Sequence, residues 1–267
     1  MPPRIYRLEA IVLKEMDYGE ADRIVTLLTP AGKVTALAKG IRRVTSRKAG
    51  QLGLFCRAEL VMARGRNMDI ISQAQSIETY EGIRQDLFRF TYACYAAELM
   101  DRFVQEEEEE SAAFYDLMAK GLGWLSNEPD PRVWMRYIEL RLLSLGGYQP
   151  QLYQCTVCNR EVSPESNFFD AERGGIVCPR CAPGVPQARA ISLGAQKALR
   201  YLLTRAPEEI RALTLKPETH EEIEALLERY VEYILERDLR SAAVLKRLRE
   251  EIRRAERQAN RLMGEAT

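Results

Sequence analysis

Two Cys-x-x-Cys pairs dominate the chemistry available to this chain. Cys155-Thr156-Val157-Cys158 is followed after 19 residues by Cys178-Pro179-Arg180-Cys181. Each pair puts two thiolates on one tight turn, and a spacer of this length folds back as a hairpin that brings the turns together. Four thiolates at about 2.3 Å form the closed tetrahedral shell typical of structural zinc. One structural Zn2+ is therefore expected, with no open position for substrate. Arg160 and Arg180 stand beside the pairs to offset the two excess negative charges of such a site. A redox-active pair is the alternative, but it accounts for one pair and not for two at ribbon spacing. Phe168-Phe169-Asp170 suits the ribbon's strand and Gly174-Gly175 its turn. The remaining cysteines, Cys56 and Cys94, fall on apolar faces, where a thiol behaves as a small hydrophobe.

Little else offers catalysis. The single histidine, His220, leaves no His-rich metal site and no basis for a His-based triad. It falls in the first turn of an expected helix, which predicts a surface position. A nuclease needs carboxylates clustered for Mg2+. Asp17, Glu20, Asp22, Glu59 and Asp69 form no such motif, and the reading is non-enzymatic. Uncharged apolar runs fall far short of the roughly 18 residues a membrane helix needs. Residues 1–7, MPPRIYR, lack the apolar core of a signal peptide. A cytoplasmic protein with reduced or metal-bound cysteines is expected.

Net charge alone misleads. Lys plus Arg is 39 and Asp plus Glu is 39, a formal zero that argues against a polyanion partner. Residues 1–80 nevertheless carry 13 basic and 8 acidic residues, while residues 81–150 carry 7 and 13. Within 33–66, Lys33, Lys39, Arg42, Arg43, Arg47, Lys48, Arg57, Arg64 and Arg66 face Glu59 alone. Fields are local, screened beyond about 8–10 Å, so a basic patch attracts a polyanion whatever the distant sum. The stretch from Lys39 to Gly50 holds five cations and no acid. Phosphate contact by Lys33, Lys39, Arg42, Arg43, Arg47, Lys48, Arg64 and Arg66 would be sequence-tolerant and salt-sensitive. Tyr6, Tyr18 and Phe55 are a thin supply of aromatics for stacking bases.

These residues need a frame. Residues 5–13, 22–29, 34–38, 53–63 and 68–77 read as strands. Leu54, Cys56, Ala58, Leu60 and Met62 alternate onto one face of the fourth. Pro30-Ala31-Gly32-Lys33 and Arg64-Gly65-Arg66-Asn67 read as turns. Five short strands in about 80 residues fit a five-stranded OB-fold barrel. From residue 81 the period becomes helical. Ile83, Leu87, Phe90, Cys94 and Ala97 share a face, widened by Phe88, Tyr92, Tyr95, Leu99 and Phe103. Helices follow over about 111–126 and 130–145, ended by Gly146-Gly147-Tyr148-Gln149-Pro150. Glu106–Glu110 reads as a solvated helix end or loop. After the ribbon, Ser192 caps a helix over 193–204, and Thr219 with Glu222 predicts a capping box. A last helix over about 241–262 sets Lys246, Arg249, Arg253, Arg257 and Arg261 on one side. The fold class is α+β multidomain: an OB-fold barrel over 1–80, then a helical domain over 81–267. A four-cysteine zinc ribbon is inserted in the helical domain at about 150–186.

This arrangement resembles the bacterial RecO family along essentially the whole chain. The likeness rests on Glu9-Ala10-Ile11-Val12-Leu13, the stretch Tyr18-Gly19-Glu20-Ala21-Asp22-Arg23-Ile24-Val25-Thr26-Leu27-Leu28-Thr29, Gly32-Lys33, and Ala38-Lys39-Gly40-Ile41-Arg42-Arg43. It continues in Leu142-Leu143-Ser144-Leu145-Gly146-Gly147-Tyr148-Gln149-Pro150, leading into Cys155-Thr156-Val157-Cys158. The resemblance implies a nucleoid-associated DNA repair and recombination mediator. It would bind single- and double-stranded DNA and anneal complementary strands. With RecR, and with RecF, it would assist RecA loading onto strands coated by single-strand-binding protein, whose acidic C-terminal tail it would also contact. The residues themselves also leave open a zinc-ribbon transcription or translation factor that binds RNA or duplex DNA.

Overall fold

A computed structural model describes residues 4–104 and 111–236, and, from the last segment, residues 241, 244, 245, 247, 248, 250–252 and 254. The acidic run Glu106–Glu110 and the basic face Lys246, Arg249, Arg253, Arg257 and Arg261 lie outside the described residues.

Five strands close into a barrel: β1 (Ile5–Tyr18), β2 (Asp22–Thr29), β3 (Gly32–Ala38), β4 (Arg57–Ala63) and β5 (Asp69–Glu78), in the order β1-β2-β3-β5-β4. All pairings are antiparallel except β3 with β5, where Ala36 faces Asp69 and Leu37 faces Ile70. β1 serves two neighbours. Its first half pairs with β4, from Ile5↔Ala63 to Ile11↔Arg57, and its second half pairs with β2, from Ile11↔Leu28 to Tyr18↔Asp22. That double pairing carries β1 past the expected end at residue 13 to Tyr18.

β1 also breaks the alternating pattern. Ala10, Ile11, Val12 and Leu13 are all buried. Ala10 and Val12 join Val25, Leu27, Leu60 and Met62 inside the barrel. Ile11 and Leu13 join Leu28 and Phe55 in a second core shared with the helices. The barrel wall is thus apolar on both faces where the helical domain meets it.

The fourth strand starts at Arg57 rather than 53. Phe55 takes a left-handed backbone (φ 65°), its N–H bonds the Val12 carbonyl, and its ring meets Phe90 edge-on at 5.6 Å. Phe55 is therefore a buried plug and not a base platform. Leu54, expected on the inner face, is half-buried between both cores.

The helices are α1 (Glu81–Gln85), α2 (Leu87–Phe103), α3 (Ser111–Asn127), α4 (Pro131–Leu145), α5 (Leu193–Thr204), α6 (Pro207–Ile210) and α7 (Pro217–Leu235). The single helix expected from 81 is broken at Asp86. Asp86 is extended, and its carboxylate caps α2 by accepting from the Arg89 N–H at 2.9 Å. The break rotates Leu87 outward to 63% exposure. Tyr92, Tyr95 and Leu99 are buried as their spacing predicts. Ser192 caps α5 as expected, accepting from the Ala195 N–H at 3.1 Å.

The predicted capping box does not form. Pro217 occupies the first turn of α7, so the helix begins ahead of the expected cap and Thr219 lies inside it. Glu222 instead accepts from the Ser192 N–H at 2.6 Å and the Ser192 hydroxyl at 2.5 Å, tying α7 to the start of α5. The same shift turns His220 inward; it is 4% exposed, which corrects its expected surface position.

Polar contacts also join the two parts. Glu9 of β1 accepts from the Tyr115 hydroxyl of α3 at 2.5 Å and from Arg57 at 2.6 Å. The Tyr115 bond, against a smaller opposing effect of burial and with help from Arg57, holds the Glu9 carboxyl below its usual range. A depressed carboxylate contributes stability above its unfolded pKa of about 4.3 and loses it as pH falls through the lower folded value. We expect Tyr115→Phe to cost about 1 kcal/mol at pH 7, screening at half-exposed Glu9 included. The difference from wild type should shrink in urea unfolding below about pH 4.

Candidate nucleic-acid interface and metal centre

The basic loop leaves β3 at Ala38 and is built, not slack. Ile41 and Leu52 are buried anchors at its two ends. The Gly40 N–H donates to the Asp22 carboxylate at 2.6 Å, and the Arg42 N–H to the Ala21 carbonyl at 2.9 Å. Lys48 reaches back inside the loop and donates to the carbonyls of Lys39 at 2.7 Å and Ile71 at 2.9 Å. Burial pushes the Lys48 ammonium pKa down, opposed by the Asp22 charge.

Parallel pairing of β3 with β5 decides what lies near this loop. It sets the end of β3, which launches the loop, against the start of β5, which leaves the Arg64–Met68 turn. The turn is tight: a Cβ on Gly65 would lie 1.9 Å from the Met68 carbonyl oxygen. Asp69 braces it, accepting from the Gly65 N–H at 3.2 Å and the Tyr6 hydroxyl at 2.5 Å. Burial first, and then the Asp69 carboxylate, push the Tyr6 hydroxyl up to about 12. Arg64 lies over the Tyr6 ring, 5.2 Å from its centre.

The eight sequence-predicted cations divide by position. Lys39, Arg42, Arg43, Arg47 and Lys48 share the loop, and Arg64 and Arg66 share the neighbouring turn. Of these, Lys39, Arg43, Arg47 and Arg66 are exposed, and no carboxylate pairs with them among the described residues. Arg42 is 3.4 Å from Asp17. Lys33 lies at the other end of β3, about 17 Å along the strand from Ala38. There it contacts the Asp101 carboxylate at 3.0 Å and the Asp101 carbonyl at 2.6 Å. Tyr18 is 54% exposed on the β1–β2 turn beside the loop. The Tyr6–Arg64 stack was legible in the sequence only as two separate residues, because strand register brings them together.

The four ribbon cysteines meet as their spacing requires. The ribbon sheet is β6 (Asn167–Asp170), β7 (Gly175–Val177) and β8 (Arg189–Ile191), in the order β7-β6-β8. β8 lies beyond the expected limit at 186. The Sγ atoms of Cys155, Cys158, Cys178 and Cys181 all lie within 4.8 Å of one another, with Cys158 and Cys178 at 3.9 Å. A tetrahedral ion with metal–sulfur bonds near 2.3 Å spaces its sulfurs by about 3.8 Å, so the set fits a metal ion. Burial opposes a charge on Cys155, but N–H groups of Cys178, Cys158 and Val157 pull its thiol down to about 6. The Cys178 thiol, with lesser effects from burial, Cys158 and Cys155, pushes Cys181 up to about 12. Cys155 is thus drawn toward the thiolate and Cys181 away from it, and a divalent cation at the set would favour the thiolate at both.

A cavity of about 570 Å3 opens in the helical domain, with walls of Phe88, Tyr92, Pro129, Pro131 and Pro217. Arg89 and Arg132 stand at it. Sequence reasoning named none of these residues as a site, because they come from separate segments of the chain.

Known proteins agree with this architecture. The family model described as Recombination protein O N terminal matches residues 1–80, and Recombination protein O C terminal matches residues 84–243. A Roseiflexus sp. (strain RS-1) protein named DNA repair protein RecO is 42% identical over 95% of this chain and 89% of its own. The chain belongs to the RecO family. Relatives of the same name occur in Dehalococcoides mccartyi strain BAV1, 33% identical over 92% of this chain and 97% of its own, and in Desulforamulus reducens, 36% identical over 92% and 95%. The family places the chain in DNA repair and recombination. No helix among the described residues is long and apolar enough to cross a membrane.

Metal analysis of the full chain under reducing conditions should find about one ion per molecule. Cys178→Ser with Cys181→Ser should lose it. Metal affinity should fall as pH is lowered, because protons compete for the thiolates.

Proposed function

We propose that this chain is a non-enzymatic recombination mediator that binds DNA through its barrel and anneals complementary strands. The observation that carries this is the cluster of exposed cations, Lys39, Arg43, Arg47 and Arg66, with no carboxylate partner among the described residues, at the meeting of β3 and β5. Phosphate contacts of this kind position a strand without reading its sequence. They also lower the repulsion between two strands brought side by side. Arg64 over Tyr6, and Tyr18 nearby, give bases a face to stack on. Arg42, Lys48 and Lys33 add to the field while holding the loop and the barrel–helix seam in place. The protein acts in the cytoplasm at the nucleoid, with RecR and RecF, to assist RecA loading on coated strands.

In this reading the ribbon ion is zinc in a structural role. It ties two knuckles that share only a small apolar cluster of Cys155, Val177 and Val185. The tail of single-strand-binding protein docks in the cavity of Phe88, Tyr92 and Pro131. Four acids, Asp86, Asp130, Glu221 and Glu224, line that cavity beside Arg89 and Arg132. Asp86 caps α2, Asp130 pairs with Arg132 at 2.9 Å, and Glu224 faces Arg136 at 3.7 Å. Among the described residues the Arg89 guanidinium donates to the carbonyls of Leu125 and Glu128 and to no carboxylate, which leaves its charge for the carboxylates of the tail.

Arg43→Glu with Arg66→Glu should weaken binding to single-stranded DNA about tenfold or more at moderate salt, with the melting temperature unchanged. The slope of log affinity against log salt should become shallower by about one to two. Competition with RNA of matched sequence separates this reading from an RNA-binding factor: RNA winning would overturn it.

A further inference from the structure

An apolar girdle runs around the outside of the barrel. Strand register aligns Ile5 with Ala63, Ala63 with Ile70, Ile70 with Leu37, Leu37 with Ile24, and Ile24 with Met16. One row of outward side chains therefore crosses all five strands. The chain neighbours Met62, Ile71, Ala36 and Val25 point inward and fill the barrel. A solvated face of an antiparallel sheet ordinarily turns polar residues outward. Here Ile5 and Met16 are 63% and 54% exposed, and Ile24, Leu37, Ala63 and Ile70 are partly exposed. None of the six joins an apolar cluster among the described residues. A contiguous apolar surface left in solvent marks an interaction site.

The girdle lies beside the basic loop and turn. Leu37 runs into Lys39, Ile70 follows the Arg64–Met68 turn, and Met16 and Ile24 flank the β1–β2 turn. The Arg42 N–H ties the loop to that turn through the Ala21 carbonyl. Acids stand at this end as well, and most are braces. Asp17 meets Arg23 at 2.9 Å and Arg42 at 3.4 Å, Asp22 accepts from the Gly40 N–H, and Asp69 from Tyr6 and Gly65. Glu20 is exposed in the β1–β2 turn.

We propose that the girdle packs the unstacked bases of a single DNA strand while the neighbouring cations hold its phosphates, which makes the barrel prefer single strands to duplex. This deepens the DNA-binding reading above and rests on it. Directly opposed residues of neighbouring strands stand about 4.5–5.5 Å apart, whereas successive bases of a strand in duplex DNA stand about 3.4 Å apart. Bases laid on the row are thus drawn out of their stack, and bases paired inside a duplex do not reach it. Met16, Ile24, Leu37 and Ile70 span about 15 Å across four strands, room for about three or four bases at that spacing. Aliphatic side chains hold a base face by contact and burial without reading its edge, so the packing tolerates any sequence. Tyr18, on the same face as Met16 and 54% exposed, extends the row. Charge favours a polyanion over a second copy of the chain. Another copy seated on the girdle would set its own exposed Lys39, Arg43, Arg47 and Arg66 near these, and like charges across an interface repel.

The test titrates full-length protein at moderate salt with three probes: a dT oligomer, an abasic deoxyribose-phosphate oligomer of the same length, and a mixed-sequence duplex. The first two share their charges and differ only in bases. The dT oligomer should bind about tenfold or more tighter than the abasic one. Met16→Ser with Leu37→Ser should close that gap and leave duplex affinity within about twofold, because duplex contact is to phosphates. Met16→Trp, at an exposed strand position, should tighten dT binding about threefold or more, with quenching of the added indole by a stacked base. If the serine variant melts early, Met16→Trp decides. Equal binding of dT and abasic oligomers by the wild type, equal losses on dT and duplex in a stable serine variant, or no quenching in Met16→Trp overturns the girdle and leaves the phosphate-binding cations standing. A wild-type dimer in sedimentation that the serine variant dissolves also overturns it. Failure of all three probes to bind, or affinities unchanged in Arg43→Glu with Arg66→Glu, overturns the DNA-binding reading itself.

Discussion

Burial of β1 on both faces is the constraint on which the rest of the molecule hangs. Ala10 and Val12 fill the barrel, while Ile11 and Leu13 enter the core of the helical domain. One strand thus belongs to two cores, and neither can be repacked alone. Phe55 extends the same coupling by leaving the strand to plug against Phe90. The Glu9, Arg57 and Tyr115 contacts and the Lys33–Asp101 pair lie along this seam. With one side of the barrel committed to the helices, its basic loop and turn are left to face outward.

Charge on this protein is organised by topology rather than by sum. A formal zero is compatible with a strongly basic patch because screening makes the field local. Cations with similar sequence neighbourhoods take different parts. Lys33 is half-buried at a seam, Lys48 is a brace inside its own loop, and Arg43 and Arg47 are open to solvent. The difference lies in what each side chain meets when β3 pairs with β5. The ribbon shows the reverse case, where four thiols crowd together and the Cys178 thiol pushes Cys181 up to about 12.

Some features follow from local residue order alone. Cys-x-x-Cys knuckles, alternation in β4, Ser192 as a cap and the helical period after residue 81 are short-range patterns with short-range causes. From them the barrel, the helical domain and the four-cysteine ribbon were legible, as was the RecO resemblance carried by ordered motifs. Tertiary structure decided the rest. Asp86 broke a helix whose period looked continuous, because its carboxylate caps better than it propagates. Pro217 started α7 early and turned His220 into the interior. Tyr6 and Arg64, far apart in the chain, became one stack through strand register. The cavity of Phe88, Pro131 and His220 joins segments that no spacing rule connects. Local patterns depend on neighbours a few residues away, whereas sites depend on packing that closes loops of tens of residues.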